Sequence, residues 1–305
     1  RVAVFLEDVD PGAAEVAESL GAGTRDRPDG PVELAVVAVP PAATGQVVVD
    51  VLESGRAGVV TDVASVKALP RDFVAGHSRH AARYVGGHPM AGREVSGPHG
   101  AAADLFEGRP WVVCPGPQTA EAPLALVCSV AELAGAIPVR MDALEHDAAV
   151  ALVSHAPHLV ASLVAGRLAD AADSHVGLAG PGVTDVTRIA ASDPGLWSEI
   201  LTANAHAVAD VLRALRADLD DALRALERNT GSPAADRDLR EVLDRGVLGR
   251  GRLPGKHGAA PIRMVAVQVV VDDRPGQLAR LFADAGQSGV NVEDVRIEHR
   301  FGQLR

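Results

Sequence analysis

Short apolar runs alternate with amphipathic stretches through the first half of this chain. Residues 2–6, 34–39, 59–63, 84–86, 111–114 and 137–141 are compact, mostly Val-rich runs of strand length. Between them, residues 12–20 follow the helix-opening pair Asp10-Pro11, and a second helical stretch runs from Pro40-Pro41 to about Ser54. Strand–helix alternation predicts an α/β Rossmann-like parallel sheet over residues 1–141. From Asp142 the pattern turns to helix alone. Residues 143–169, 196–216 and 219–228 are Ala/Leu-rich with a 3.6-residue period, interrupted around Gly180-Pro181-Gly182. This predicts an all-helical domain over 142–245. Residues 246–262 are basic and Gly-rich and read as a linker. Residues 264–271, 275–287 and 290–298 then read as strand, helix, strand, a partial α+β module over 263–305. No internal repeat is evident.

Composition narrows the function classes. Of the 305 residues, 47% are hydrophobic but only 3% aromatic, so Ala, Val and Leu must build the core. A net charge of -11 with no basic stripe argues against a nucleic-acid surface. Cys114 and Cys128 have no metal-ligand or disulfide spacing and read as buried free thiols in a reducing cytoplasm. No run approaches the ~18 uninterrupted apolar residues of a membrane span, and no signal peptide is visible. Arg1 opens straight into an apolar run, as expected of a chain that begins inside a domain.

Residues 2–6 read as the second strand of a dinucleotide-binding domain, whose first strand and Gly-x-Gly-x-x-Gly turn are missing from residues 1–60. The expectation is that this segment lies upstream, because a domain without its central strand exposes a wide apolar edge. Asp8 would accept hydrogen bonds from the adenosine ribose hydroxyls, and its charge favours NAD over NADP; a charged residue capping a strand end is the alternative. Val39 and Pro40, ending the next strand, could lie against the adenine-ribose side or merely stop the strand.

The most distinctive stretch is Gly86-Gly87-His88-Pro89-Met90-Ala91-Gly92-Arg93-Glu94-Val95-Ser96-Gly97, expected at the carboxyl edge of the sheet where open α/β folds hold ligands. The glycines would let backbone approach a ligand closely, and Pro89 would fix the turn. A histidine there can take a proton from a substrate hydroxyl as a hydride leaves the same carbon, whereas a lone loop histidine is more often just bonded in place. Further on, Asp147, Ala151, Ser154 and His158 share one helix face, with His155 beside it. Ser154 and His158, set among apolar neighbours, are substrate-side candidates; His146 and Asp147 read as a solvent-facing first turn. His155 and His158 lack a third ligand by sequence, so no metal is expected. Arg188 reads as the start of a helix entered from a tight loop, and Trp197 as core or interface more readily than ligand contact.

The His88 segment, with Asp62-Val63-Ala64-Ser65-Val66-Lys67 before it, closely resembles the prephenate dehydrogenase family. Ser154-His155-Ala156-Pro157-His158, the run from Ala179 through Thr184-Asp185-Val186-Thr187-Arg188 to Ala190, and Asp193-Pro194-Gly195-Leu196-Trp197 match in the same order. The resemblance implies oxidative decarboxylation of prephenate to 4-hydroxyphenylpyruvate with hydride transfer to NAD, in tyrosine biosynthesis. It implies His88 as proton acceptor, Ser65 as the group that hydrogen-bonds and orients it, Glu94 at the rim, Arg188 on a substrate carboxylate, and a homodimer in the cytoplasm. Arogenate dehydrogenase, whose substrate carries an amino group in place of the keto oxygen, is the nearest alternative. A non-catalytic amino-acid-sensing dimer is another. Val269-Val270-Val271-Asp272-Asp273-Arg274-Pro275-Gly276, with Gly289-Val290-Asn291-Val292, resembles the opening of an ACT domain. That resemblance implies a tyrosine effector held near Asp273, Pro275, Gly276 and Asn291, or a structural module with no ligand.

Overall fold

Five of the apolar runs join into one sheet in the computed structural model, which describes residues 2–92, 97–228, 233–253, 265, 267–272, 274–292, 295 and 297. They are β1 (Val32–Val37), β2 (Ala57–Asp62), β3 (Tyr84–Pro89), β4 (Pro110–Pro115) and β5 (Ile137–Arg140), side by side in that order. β1, β2 and β3 are parallel, but β4 runs antiparallel to β3, and β5 is parallel to β4. The expected all-parallel sheet is therefore mixed. A parallel neighbour needs a long crossover, usually a helix. Among the described residues of the β3–β4 connection only the turn Pro98–Gly100 is helical, and the chain returns beside β3 in the opposite sense.

Residues 2–6 do not form the expected strand. Phe5 makes an isolated parallel bridge to Thr24, with Leu6 N–H donating to the Thr24 carbonyl at 2.8 Å and Thr24 N–H to that of Val4 at 3.0 Å. A strand is held by a ladder on its neighbours, and among the described residues this segment has only that short contact.

The sheet is covered by helices whose limits the local chemistry sets. α1 (Pro11–Ser19) opens where the Asp10 carboxylate accepts the Gly12 N–H at 2.9 Å. α2 (Pro41–Ser54) starts at the fixed φ of its proline and stops at Gly55, which turns left-handed. α3 (Ala68–His77) follows β2, and α4 (Glu121–Leu133) follows β4. Val48 and Leu52 of α2 meet Val60 and Val74 in one fully buried cluster. Val127 and Ala131 of α4 meet Val85 and Val113 in another. Each such Val or Leu contributes about 1.5–3 kcal/mol by leaving water.

The helical part holds α5 (Ala143–Val150), a π turn (Ala151–His155), α6 (Ala156–Ala169), α7 (Asp173–Val176), α8 (Pro181–Thr187), a 3-10 turn (Arg188–Ala191), α9 (Pro194–Ala203), α10 (Ala205–Glu227) and α11 (Pro233–Gly251). Two boundaries differ from expectation. The break between the long helices falls at Asn204, not near residue 217, because the Asn204 side chain is drawn into the interior. The helix also continues six residues into the expected linker, Gly246 to Gly251. Its glycines cost only about 1 kcal/mol each in a helix. By composition the helical stretch Ala143–Ala169, with a mean hydropathy of 1.6, is long and apolar enough to cross a membrane, contrary to expectation. In the structure it buries His146, Asp147, His155 and His158 against protein partners.

The chain separates into two units, Arg1–Leu248 and Gly249–Arg305. The second contains α12 (Gln277–Gln287), entered through Gly276 at φ 88° and followed by Gly289 at φ 70°. These are backbone angles that glycine adopts without strain. The strands expected at 264–271 and 290–298 are not formed in the described residues, which include 267–271 and 290–292. Asp273 lies outside the described residues.

Candidate active site

β2 ends on Asp62, whose carboxylate is fully buried and has three donors. The Lys67 ammonium pairs with Oδ1, the Tyr84 hydroxyl donates to Oδ2 at 2.6 Å, and the Ala64 N–H donates to Oδ1 at 2.8 Å. Lys67, also buried, donates to the Gly87 carbonyl at 2.6 Å, immediately before His88. Burial and the Asp62 charge hold the Tyr84 phenol well above its usual value, so it stays a donor. The glycines before His88 give room to the protein interior. A Cβ on Gly87 would lie 2.6 Å from the Asp62 carbonyl oxygen and 3.0 Å from Trp111 Nε1, and one on Gly86 would lie 3.2 Å from Lys67 Cδ.

A second buried carboxylate joins the two domains. Asp147, on α5, accepts the N–H groups of Lys67 and Ala68 at 2.8 and 2.9 Å. It also contacts His146 Nδ1 at 2.8 Å, and His146 Nε2 lies 2.8 Å from His88 Nδ1. His146 and Asp147 are thus buried, at 0% and 5% exposure, and not the solvent-facing first turn that their sequence position suggested. Burial, then the charges available to His146, Lys67 and His155, hold the His88 imidazole well below its ordinary pKa. His88 is neutral at physiological pH and able to accept a proton.

The π turn changes which residues face inward. Pro157 has no N–H to give, and its ring would clash with the carbonyl four residues back. The wider turn at Ala151–His155 relieves this and advances the register. His155 comes fully inside, where its Nδ1 lies 3.1 Å from Asn204 Nδ2, which also donates to the Asp147 carbonyl at 2.8 Å. Burial lowers the His155 pKa to about 4. Ser154 is left half-buried. His158 stacks flat on Trp197, centroids 3.5 Å apart, and the pair lines a cleft of about 300 Å³ with Ser162, Ser192, Ser198 and Thr202.

The remaining expected site residues divide. Ser65 lies half-buried in the loop after Asp62, on the edge that carries His88. Among the described residues it makes no hydrogen bond to His88, whose Nδ1 is taken by His146 instead. Arg188 is exposed at the junction of α8 and the 3-10 turn, so it ends a helix where a helix start was expected. Asp8 is exposed and accepts the Asp10 N–H at 2.8 Å. Val39 and Pro40 follow β1, with Val39 packed on the α2 cluster. Pro275 and Gly276 lead into α12, and Asn291 follows it. Glu94 lies outside the described residues. Among the described residues no cluster has metal-ligand character. Sequence reasoning missed His146, Asn204 and the individual roles of Asp62, Lys67 and Tyr84. The usable signal was charged side chains five apart bracketing a strand end.

An open sheet carrying a neutral histidine at its edge, closed from behind by a helical domain, is the build of a dinucleotide-dependent oxidoreductase. Residues 1–139 match the profile of the prephenate dehydrogenase nucleotide-binding domain, and residues 142–244 match that of the prephenate dehydrogenase dimerization domain. A probable prephenate dehydrogenase, NovF, of Streptomyces niveus is 39% identical over 97% of this chain and 83% of its own length. The chain belongs to the prephenate dehydrogenase family. Among solved structures, the Aquifex aeolicus prephenate dehydrogenase in complex with hydroxyphenyl propionate and NAD+ is 27% identical. It covers 82% of this chain and 88% of its own, with a TM-score of 0.70. Synechocystis arogenate dehydrogenase is 26% identical over 72% of this chain and 78% of its own, with a TM-score of 0.60.

Proposed function

We propose that this protein is an NAD-dependent prephenate dehydrogenase that converts prephenate to 4-hydroxyphenylpyruvate and CO2. The observation that carries this reading is His88, neutral at the carboxyl end of β3, with Nδ1 held from behind and no partner on Nε2 among the described residues. Nε2 takes the proton of the substrate C4 hydroxyl while the hydride leaves C4. Loss of the ring carboxylate as CO2 then aromatises the ring and returns the proton to the phenol oxygen. Ser65, on the adjoining loop, is the second group offered to the reacting centre. Arg188 would pair with a substrate carboxylate, where its planar guanidinium gives a two-pronged contact. Glu94 would form the rim. The His158–Trp197 stack and the half-buried Ser154 would bound the substrate side.

Asp8, Val39 and Pro40 are the residues that would meet one end of NAD. The exposed Asp8 carboxylate would accept from the ribose hydroxyls, its charge opposing the extra phosphate of NADP, and Val39 and Pro40 would flank the same half. No residue here is assigned to the pyrophosphate. When bound, NAD supplies the hydride acceptor.

We read residues 1–141 as the nucleotide domain, 142–245 as the helical domain and 263–305 as the opening of an ACT-type module. The left-handed Gly276 and Gly289 support the last reading. Pro275, Gly276 and Asn291 are the residues that would meet tyrosine. Exposed leucines on α10 support a homodimer, and the cytoplasm is the expected compartment.

The test mixes the chain with NAD and prephenate or arogenate and follows absorbance of the reduced nicotinamide. Turnover of prephenate is expected, and His88→Asn should lower kcat about 1,000-fold with little change in KM. Because only neutral His88 accepts a proton and its pKa is depressed, the acid limb of kcat/KM should fall below pH 6.5, the ordinary histidine value. Added tyrosine should reduce the rate. No turnover of either substrate would overturn the reading.

A further inference from the structure

With His146 neutral, the protons along the line Asp147–His146–His88 have one consistent arrangement. Asp147 accepts two backbone N–H groups, as an ionised carboxylate does, so its contact with His146 places a proton on His146 Nδ1. Neutral His146 then offers a lone pair at Nε2, and the 2.8 Å contact requires the proton of His88 to sit on Nδ1. The Nε2 of neutral His88 is therefore bare.

We propose that His146, anchored by Asp147, is a positioning residue that fixes His88 in the tautomer able to accept a proton at Nε2, and that shares the charge once the proton arrives. The inference rests on the reaction proposed above. As the substrate O–H breaks, an N–H forms at His88 Nε2. The Nδ1 proton of His88 moves to His146 Nε2, so the positive charge comes to rest beside the Asp147 carboxylate. The same shifts reverse when the phenol oxygen recovers its proton, leaving no net change in the pair. The surroundings make this transfer useful. Lys67 from the β2–α3 connection and His155 from the π turn are the other titratable groups bearing on His88; Lys67 opposes a cation there, whereas His155, its pKa lowered to about 4 by burial, is neutral at working pH. Cys114 from β4 stays protonated, its thiol pushed up to about 12 chiefly by burial. Asn204, between α9 and α10, contacts the Asp147 carbonyl and leaves its carboxylate to His146 and the amides of Lys67 and Ala68.

The test uses the full chain labelled with 15N-histidine, His88 being assigned by its loss in His88→Asn. Wild type should show His88 with Nδ1 protonated and Nε2 bare, whereas His146→Leu should give a mixture of tautomers. His146→Leu should also lower kcat for prephenate about 100-fold, with KM values for prephenate and NAD little changed. His146→Gln places an amide oxygen where it can accept from Nδ1–H but cannot carry a proton. It should restore the tautomer and recover about tenfold of the loss. A proton on Nε2 in the wild type would overturn the proposal, as would wild-type kcat in a His146→Leu chain that melts near the wild-type temperature. If His146→Leu fails to fold, the wild-type nitrogen signals and His146→Gln decide it. Because those signals need no substrate, a chain inactive on prephenate would sink the proposed reaction without deciding the tautomer.

Discussion

Lys67 and Asp62 have no exposed side-chain surface, and each would be costly there without the other. The ammonium also holds the Gly87 carbonyl, so the ion pair sets the backbone on which His88 is mounted. Lys67→Met keeps the volume but leaves the Asp62 carboxylate with Tyr84 and one backbone N–H. It should destabilise the protein by about 3 kcal/mol in urea unfolding and lower kcat through His88. A stability equal to wild type would mean that the pair is dispensable. The sequence displayed the motif from Asp62 to Lys67, but not that both ends of it turn inward. An ion pair between residues five apart looks the same in a loop at the surface.

At the scale of elements, the π turn and the break at Asn204 belong together. Regular helical spacing puts Ser154 on the face shared with Asp147 and His158. The extra residue in the turn ahead of Pro157 gives that inward place to His155 instead. Asn204 ends α9, begins α10 and meets both His155 and the Asp147 carbonyl, so it ties the two helical segments behind the site. Asn204→Ala would orphan buried partners on both and should cost about 2 kcal/mol in thermal or urea unfolding. A loss no larger than that of an exposed Asn→Ala substitution would refute this coupling role.

For the whole molecule, Leu215, Leu219, Leu223 and Leu226 form one exposed face of α10, more than a third exposed at every position. A row of this kind on a helix of a dimerization-domain family is most simply covered by a second copy. Leu219→Glu combined with Leu223→Glu should convert a dimer to a monomer by light scattering while leaving the helical content intact. An unchanged mass would show that the dimer uses another face.

Periodicity alone determined the strand runs of the sheet, the change to an all-helical region at Asp142, and the place of His88 at a strand end. These depend on local hydrophobic spacing and on prolines and glycines that act within a few residues. Tertiary structure decided which buried polar groups meet. His146 became the partner of His88 because α5 packs across the sheet edge, bringing together residues 58 apart in sequence. The antiparallel course of β4 beside β3 and the partners His155 meets once the π turn has brought it inside were likewise fixed by neighbours distant in the chain. A strand needs a second strand, and a buried charge needs its partner. The spacing of residues along one segment specifies neither.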